Sequence, residues 1–381
     1  MHERILKRQN WLIVAGFFFL SGLLAATWNA RIPDVQDSTG LNNAAWGMVL
    51  VALPAGLVTG LFLSGWLVAR FGATMISIIT CLLASVLLAA LGFAGERLLL
   101  MILLFFTGFN RAIMNIAINT RAVELQKDYE RPIVSTFHGI WSLACLVAVG
   151  VGTVMIMMEV KYAIHFSIIA MICFTATLLN HKKNQPQKKA FEKKPFFIRP
   201  DRYLLLLGSI AFFGMAAENT MFDWSINYFD KVVLVDKSWR TAGYICFIVT
   251  MSAGRMAGDR LIHRYGAVNM LLFNGLMMAT GFAVAALMPQ VFAVCIGFLL
   301  IGFGDSSIVP IVYALAGKAK LPMAYAITSV TTIGYMGFLV NPPIVGLISE
   351  AKGMQWAFGL MAIFSLVICL LSLKVRDHFK L

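Results

Sequence analysis

About twelve stretches of roughly 20 apolar residues recur along this chain, and each is long enough to cross the hydrocarbon of a bilayer as a helix. They lie near 11–31, 44–69, 73–94, 98–121, 133–157, 161–180, 203–230, 240–262, 267–288, 291–316, 323–348 and 355–375. Only 13% of the 381 residues are charged, about half of what a soluble domain carries to wet its surface. The expected fold is an all-α membrane protein. Most of its surface faces lipid, and membrane lipids are its constant partners.

The net charge of +13 does not indicate nucleic acid, because its placement follows the membrane. Lys and Arg fall mainly in alternate connections, among them Arg4, Lys7, Arg8, Arg70, Arg121, Arg131, Arg260, Arg264, Lys318, Lys374 and Arg376, while Arg31, Arg97, Lys161 and Arg240 fall on the opposite side. This positive-inside bias predicts a multi-pass protein of the bacterial inner membrane with both termini in the cytoplasm. The start imitates a signal peptide, but the many spans behind it favour an uncleaved first helix. The six cysteines all lie in apolar spans without a C-x-x-C pair and read as small buried hydrophobes.

One connection differs from the rest. Residues 181–202 hold eight Lys or Arg and three Pro and read as a cytoplasmic linker between a six-helix bundle at 1–180 and another at 203–381. The halves repeat at an offset of 194. RFGA (70–73) falls on RYGA (264–267), Gly108-Phe109 on Gly302-Phe303, Ser135 on Ser329, Gly152 on Gly346 and Ala163 on Ala357. Parallel six-helix repeats, each an inverted 3+3 pair, build one large class of secondary transporters.

With these features in place, the chain resembles the major facilitator superfamily. GWLVARFG keeps Gly65, Arg70 and Gly72 of the helix 2–3 loop pattern G-x-x-x-D-[RK]-x-G, with Ala69 where the acid belongs. GRMAGDRLIHRYG keeps Arg255, Gly258, Asp259, Arg264 and Gly266 in the second half. More narrowly, TWNARIP (27–33), NTRAVE (119–124), STFHGIWSL (135–143), ENTMFDWS (218–225) and GYMGFLVNPPIVG (334–346) are similar to the YbjJ-like bacterial branch. The resemblance implies two pseudo-symmetric bundles acting as a monomer, with helices 1, 4, 7 and 10 lining a central cavity, and it names no cargo.

Ionisable groups inside spans cost several kcal/mol unless paired or wet, so each is a functional candidate. Arg111 falls in helix 4, Glu218 and Asp223 in helix 7, and Asp305 in helix 10. Arg111 and Asp305 stand one repeat offset apart. The expectation is a substrate site that both face, against the alternative of a permanent ion pair, Arg111 with Asp305 or with Glu218. Asn115, one turn from Arg111, joins this set with Asp223, Asn29, Trp28, Trp141, Trp224 and Tyr335, whose rings and polar groups suit a sugar-like or zwitterionic ligand. Interfacial anchoring is the competing role for Trp28 and Trp224. Glu218, Asp223 and His138 are the proton-coupling candidates. Arg70, Arg255, Asp259 and Arg264 are the gating candidates.

Other functions find little support. There is no G-x-x-x-x-G-K-[ST] phosphate loop and no hydrolase or metal-ligand spacing, so no enzyme, cofactor or metal is expected. The leading reading is proton symport of a small polar solute by alternating access. The alternatives are a proton-driven exporter of drugs or metabolites and a non-transporting membrane sensor or scaffold.

Overall fold

The computed structural model describes residues 2–126, 128–129, 133–181, 201–319 and 323–378. Most of the basic 181–202 segment lies outside them. The described residues are helical with no strand, as lipid requires, because a helix pairs its own backbone groups where water is missing. Among the described residues, eleven helices are long and apolar enough to cross a membrane. The twelfth stretch expected from the sequence, 240–262, falls on a helix of comparable length, Ala242–Tyr265, whose second half carries Arg255, Asp259, Arg260 and Arg264.

The chain forms two compact units, Met1–Gly40 with Ala52–Lys193, and Leu41–Val51 with Lys194–Leu381. The first contains α1 (His2–Ala30), α2 (Ile32–Thr39), α4 (Ala52–Phe71), α5 (Ala73–Leu91), α6 (Arg97–Gln126), α7 (Val134–Met157) and α8 (Tyr162–His181). The second contains α3 (Asn43–Leu50), α9 (Arg202–Tyr228), α10 (Ala242–Tyr265), α11 (Ala267–Leu287), α12 (Val291–Asp305), α13 (Ile308–Ala316), α14 (Met323–Lys352) and α15 (Met354–His378). The second apolar span of the sequence is thus divided. Its opening turns, α3, pack on α14 in the second unit, where Gly47 lies against Pro342 and Gly346 and the Asn43 backbone N–H donates to Glu350 Oε2 at 2.9 Å.

The repeat is written into the backbone. Gly72 turns α4 into α5 at φ 86°, ψ 145°, and Gly266 turns α10 into α11 at φ 82°, ψ 149°. Only glycine takes that conformation without strain, which explains the RFGA and RYGA pair. Gly108 sets α6 against α4, where a methyl group would strike the Leu53 carbonyl. Its repeat equivalent Gly302 sets α12 against α10, at the Phe247 carbonyl. Membrane helices gain most of their association from such close packing.

The symmetry fails at one place. α6 runs unbroken through Arg111, whereas the equivalent helix of the second unit stops at Asp305 and restarts at Ile308. Pro310 has no N–H to give, and its ring clashes with the carbonyl four residues back, so the chain breaks at Ser306-Ser307. Asp305 sits at that break.

Candidate functional site

In the second unit, Glu218 on α9 accepts from Arg255 Nη2 on α10 at 3.0 Å. The Glu218 side chain is 12% exposed and that of Arg255 39%. Asp305 is 4% exposed, and its Oδ2 is enclosed without a hydrogen-bond partner. The charges that act on it are those of Glu218 and Arg255. Three helices therefore bring two carboxyl groups and one guanidinium together within the second unit. Nearby on α9, Asn219 Nδ2 donates to Asp223 Oδ2 at 2.7 Å. From α14, Asn341 Nδ2 reaches Asn219 Oδ1 at 3.1 Å and Thr220 Oγ1 at 2.9 Å. Asn341 directly precedes Pro342 and Pro343, which lie inside α14.

In the first unit, a cavity of about 50 Å³ opens between α1, α4, α5 and α6. Arg111 and Trp28 line it, with Ser21, Thr107 and Asn110. The other polar groups are engaged locally: Ser21 donates to Phe18 O, Thr107 to Leu103 O and Asn110 to Thr80 O. Among the described residues Arg111 has no ion pair. One turn on, Asn119 Nδ2 donates to Asn115 Oδ1 at 2.8 Å.

The remaining candidates disperse. His138 lies edge-on to Phe18 with centroids 5.3 Å apart, and Trp141 is half-buried. Trp224 is fully buried, with its Nε1 unpartnered, and Asn29 is buried. Tyr335 packs beside Phe338 at 6.0 Å. Arg70 and Arg264 are exposed beside the two glycine turns, Arg264 resting over the Tyr265 ring. The Asp259 side chain lies outside the described residues.

Sequence reasoning missed a second buried cluster. Arg31, read as an outer-loop residue, is 3% exposed. Its Nε pairs with Asp34 at 2.8 Å, and its Nη2 donates to the Val160 carbonyl. Beside it His165 is fully buried, with neither ring nitrogen hydrogen-bonded. The available signal was a histidine inside the apolar span 161–180. Among the described residues no group of three or more His, Cys, Asp or Glu is arranged to hold a metal.

The profile of the Major Facilitator Superfamily matches residues 11–330 and, again, 244–380. The chain belongs to this superfamily. It is 30% identical to an uncharacterised MFS-type transporter of Yersinia pestis, over 92% of each chain. It is 27% identical to the membrane protein MosC of Rhizobium meliloti, over 99% of this chain and 93% of that one. Among solved structures it resembles a point mutant of the nucleoside transporter NupG (TM-score 0.80, 14% identity, 97% and 99% covered). It also resembles a bacterial homologue of the lysosomal transporter Spinster (TM-score 0.78, 12% identity, 98% of each chain). At those identities the structures speak for the fold alone. This major facilitator protein is a multi-pass membrane transporter and not an enzyme.

Proposed function

We propose that the protein is a proton-coupled symporter of a small polar solute, sugar-like or zwitterionic, working by alternating access. It acts as a monomer in the bacterial inner membrane with both termini in the cytoplasm. The observation that carries this reading is the group Glu218, Arg255 and Asp305. Two carboxyl groups and one guanidinium leave one negative charge over, and an uncompensated charge in the membrane interior costs several kcal/mol. A proton on one carboxyl removes it. If Arg255 turns from Glu218 toward Asp305, the proton can move between the two acids or leave. A site that trades one proton against the position of one arginine couples proton passage to a conformational change.

The test is transport by purified protein in proteoliposomes, screened with sugars, sugar acids, amino acids and nucleosides under an imposed proton gradient. The expected result is gradient-driven accumulation of one class. Asp305→Asn should abolish accumulation while leaving gradient-free exchange of the solute across the membrane. Full accumulation by both Asp305→Asn and Glu218→Gln would refute proton coupling through this group. Extrusion of lipophilic compounds would instead favour the antiport reading.

A further inference from the structure

The first unit carries an unusual donor arrangement. Arg111 lies midway along α6, 14 residues from the start of a 30-residue membrane helix, and has no counter-ion among the described residues. The cavity it lines contains no carboxylate. On the cavity's α1 wall, Trp28 is 4% exposed, and its Nε1–H is enclosed without an acceptor. Its ring is held against Phe166 with centroids 6.2 Å apart.

These two groups are donors only: the guanidinium has five N–H groups and the indole one, with no acceptor on either. Arg111 is half-buried, and a cation without a counter-ion inside a membrane helix costs several kcal/mol where water does not reach it, while a buried N–H without an acceptor carries its own cost. Both deficits are relieved by a single ligand feature, an anionic group that accepts from the guanidinium fork and from the indole. Carboxylate matches the fork geometry in bidentate fashion. A cavity of about 50 Å³ holds a group of a few water-sized atoms, so it seats an anionic head and leaves the remainder of the solute outside.

We propose that the transported solute bears a carboxylate, and that Arg111 and Trp28 Nε1 are its seat. The inference rests on the transport reading above and narrows its cargo to sugar acids, amino acids and other organic acids, excluding neutral sugars. It makes no use of proton coupling.

The experiment is thermal unfolding of the detergent-purified full chain with matched acids and amides at equal ionic strength: formate with formamide, lactate with lactamide, and glucuronate with glucuronamide, with chloride as the bare-anion control. Ligand bound to the folded state raises the melting temperature by mass action. At least one acid should stabilise the wild type while its amide and chloride do not. Arg111→Gln should weaken the apparent affinity by roughly tenfold to a hundredfold, the size of a lost charged hydrogen bond. Arg111→Lys should keep part of it, and Trp28→Phe, which retains the ring and deletes the N–H, should lose a smaller part. If Arg111→Gln does not fold, Trp28→Phe and Arg111→Lys carry the comparison. The proposal is overturned if amide or chloride stabilises as well as the acid, if none of the acids stabilises the wild type, or if the Arg111 and Trp28 variants respond as the wild type does. None of these outcomes touches the Asp305→Asn transport result, so the two readings fail separately.

Discussion

Glu218 on α9 and Arg255 on α10 are joined at 3.0 Å, and the buried Asp305 on α12 feels both charges. Removing the Glu218 charge breaks the 3.0 Å pair and leaves Arg255 with Asp305 as the one acid of the set. Glu218→Gln should destabilise the protein by about 1–2 kcal/mol, less than for a wholly buried pair because the Arg255 side chain keeps 39% exposure. The double variant Glu218→Gln with Arg255→Met should recover most of that loss. Thermal unfolding in detergent measures both, and a double variant less stable than the single would contradict the account.

The two glycine turns provide a symmetric test. Gly72 and Gly266 hold φ 86° and φ 82° with extended ψ, so alanine at either position should cost about 1–3 kcal/mol from backbone strain. No side chain would be displaced, since a methyl group at either position meets nothing within 4 Å. Equal, additive losses are expected on combining them. A null effect at one position would mean that the repeat is not preserved there.

Gly108→Val should behave quite differently from Gly72→Ala. The added branches would meet the backbone of α4 at Leu53 and Leu57, and neither helix has a flexible tip to give way. Loss of folded protein from the membrane fraction is expected, as it is for Gly302→Val against the Phe247 carbonyl. Normal yield and size-exclusion behaviour of both variants would contradict the close packing.

His165 predicts the reverse of the usual rule for buried polar residues. Because neither nitrogen has a hydrogen-bond partner, the site incurs the desolvation of the imidazole without return. His165→Leu should therefore be neutral or stabilise by up to about 1 kcal/mol, read as melting temperature. A clear loss of stability would show that the imidazole is engaged by a trapped water.

Asn341 ties α14 to α9 through Asn219 and Thr220. Asn341→Ala should cost about 0.6–2 kcal/mol, the range for hydrogen bonds between membrane helices. Asn341→Asp should be worse, since a carboxylate can accept from the Thr220 hydroxyl but offers Asn219 Oδ1 no donor. Ranking the two variants by thermal unfolding checks the assignment.

The sequence by itself determined the class of fold, because spans of about 20 apolar residues admit only helices in lipid. It also determined the repeat, because the same turn at Gly72 and Gly266 and the same close approach at Gly108 and Gly302 each demand glycine and so leave a fixed spacing. That Glu218, Asp305 and Arg111 were worth attention was legible too, through the cost of charge in hydrocarbon. Partnership was not legible. Helical periodicity names the face of a helix but not its neighbour, so only packing could give Glu218 to Arg255. Packing likewise put Arg111 and Trp28, whose indole N–H has no acceptor, on the wall of one cavity, and it drew Arg31 from an apparent loop into a buried pair with Asp34. The assignment of Leu41–Val51 to the second unit follows from Gly47 against Gly346, a contact between residues far apart in the chain that no local pattern encodes.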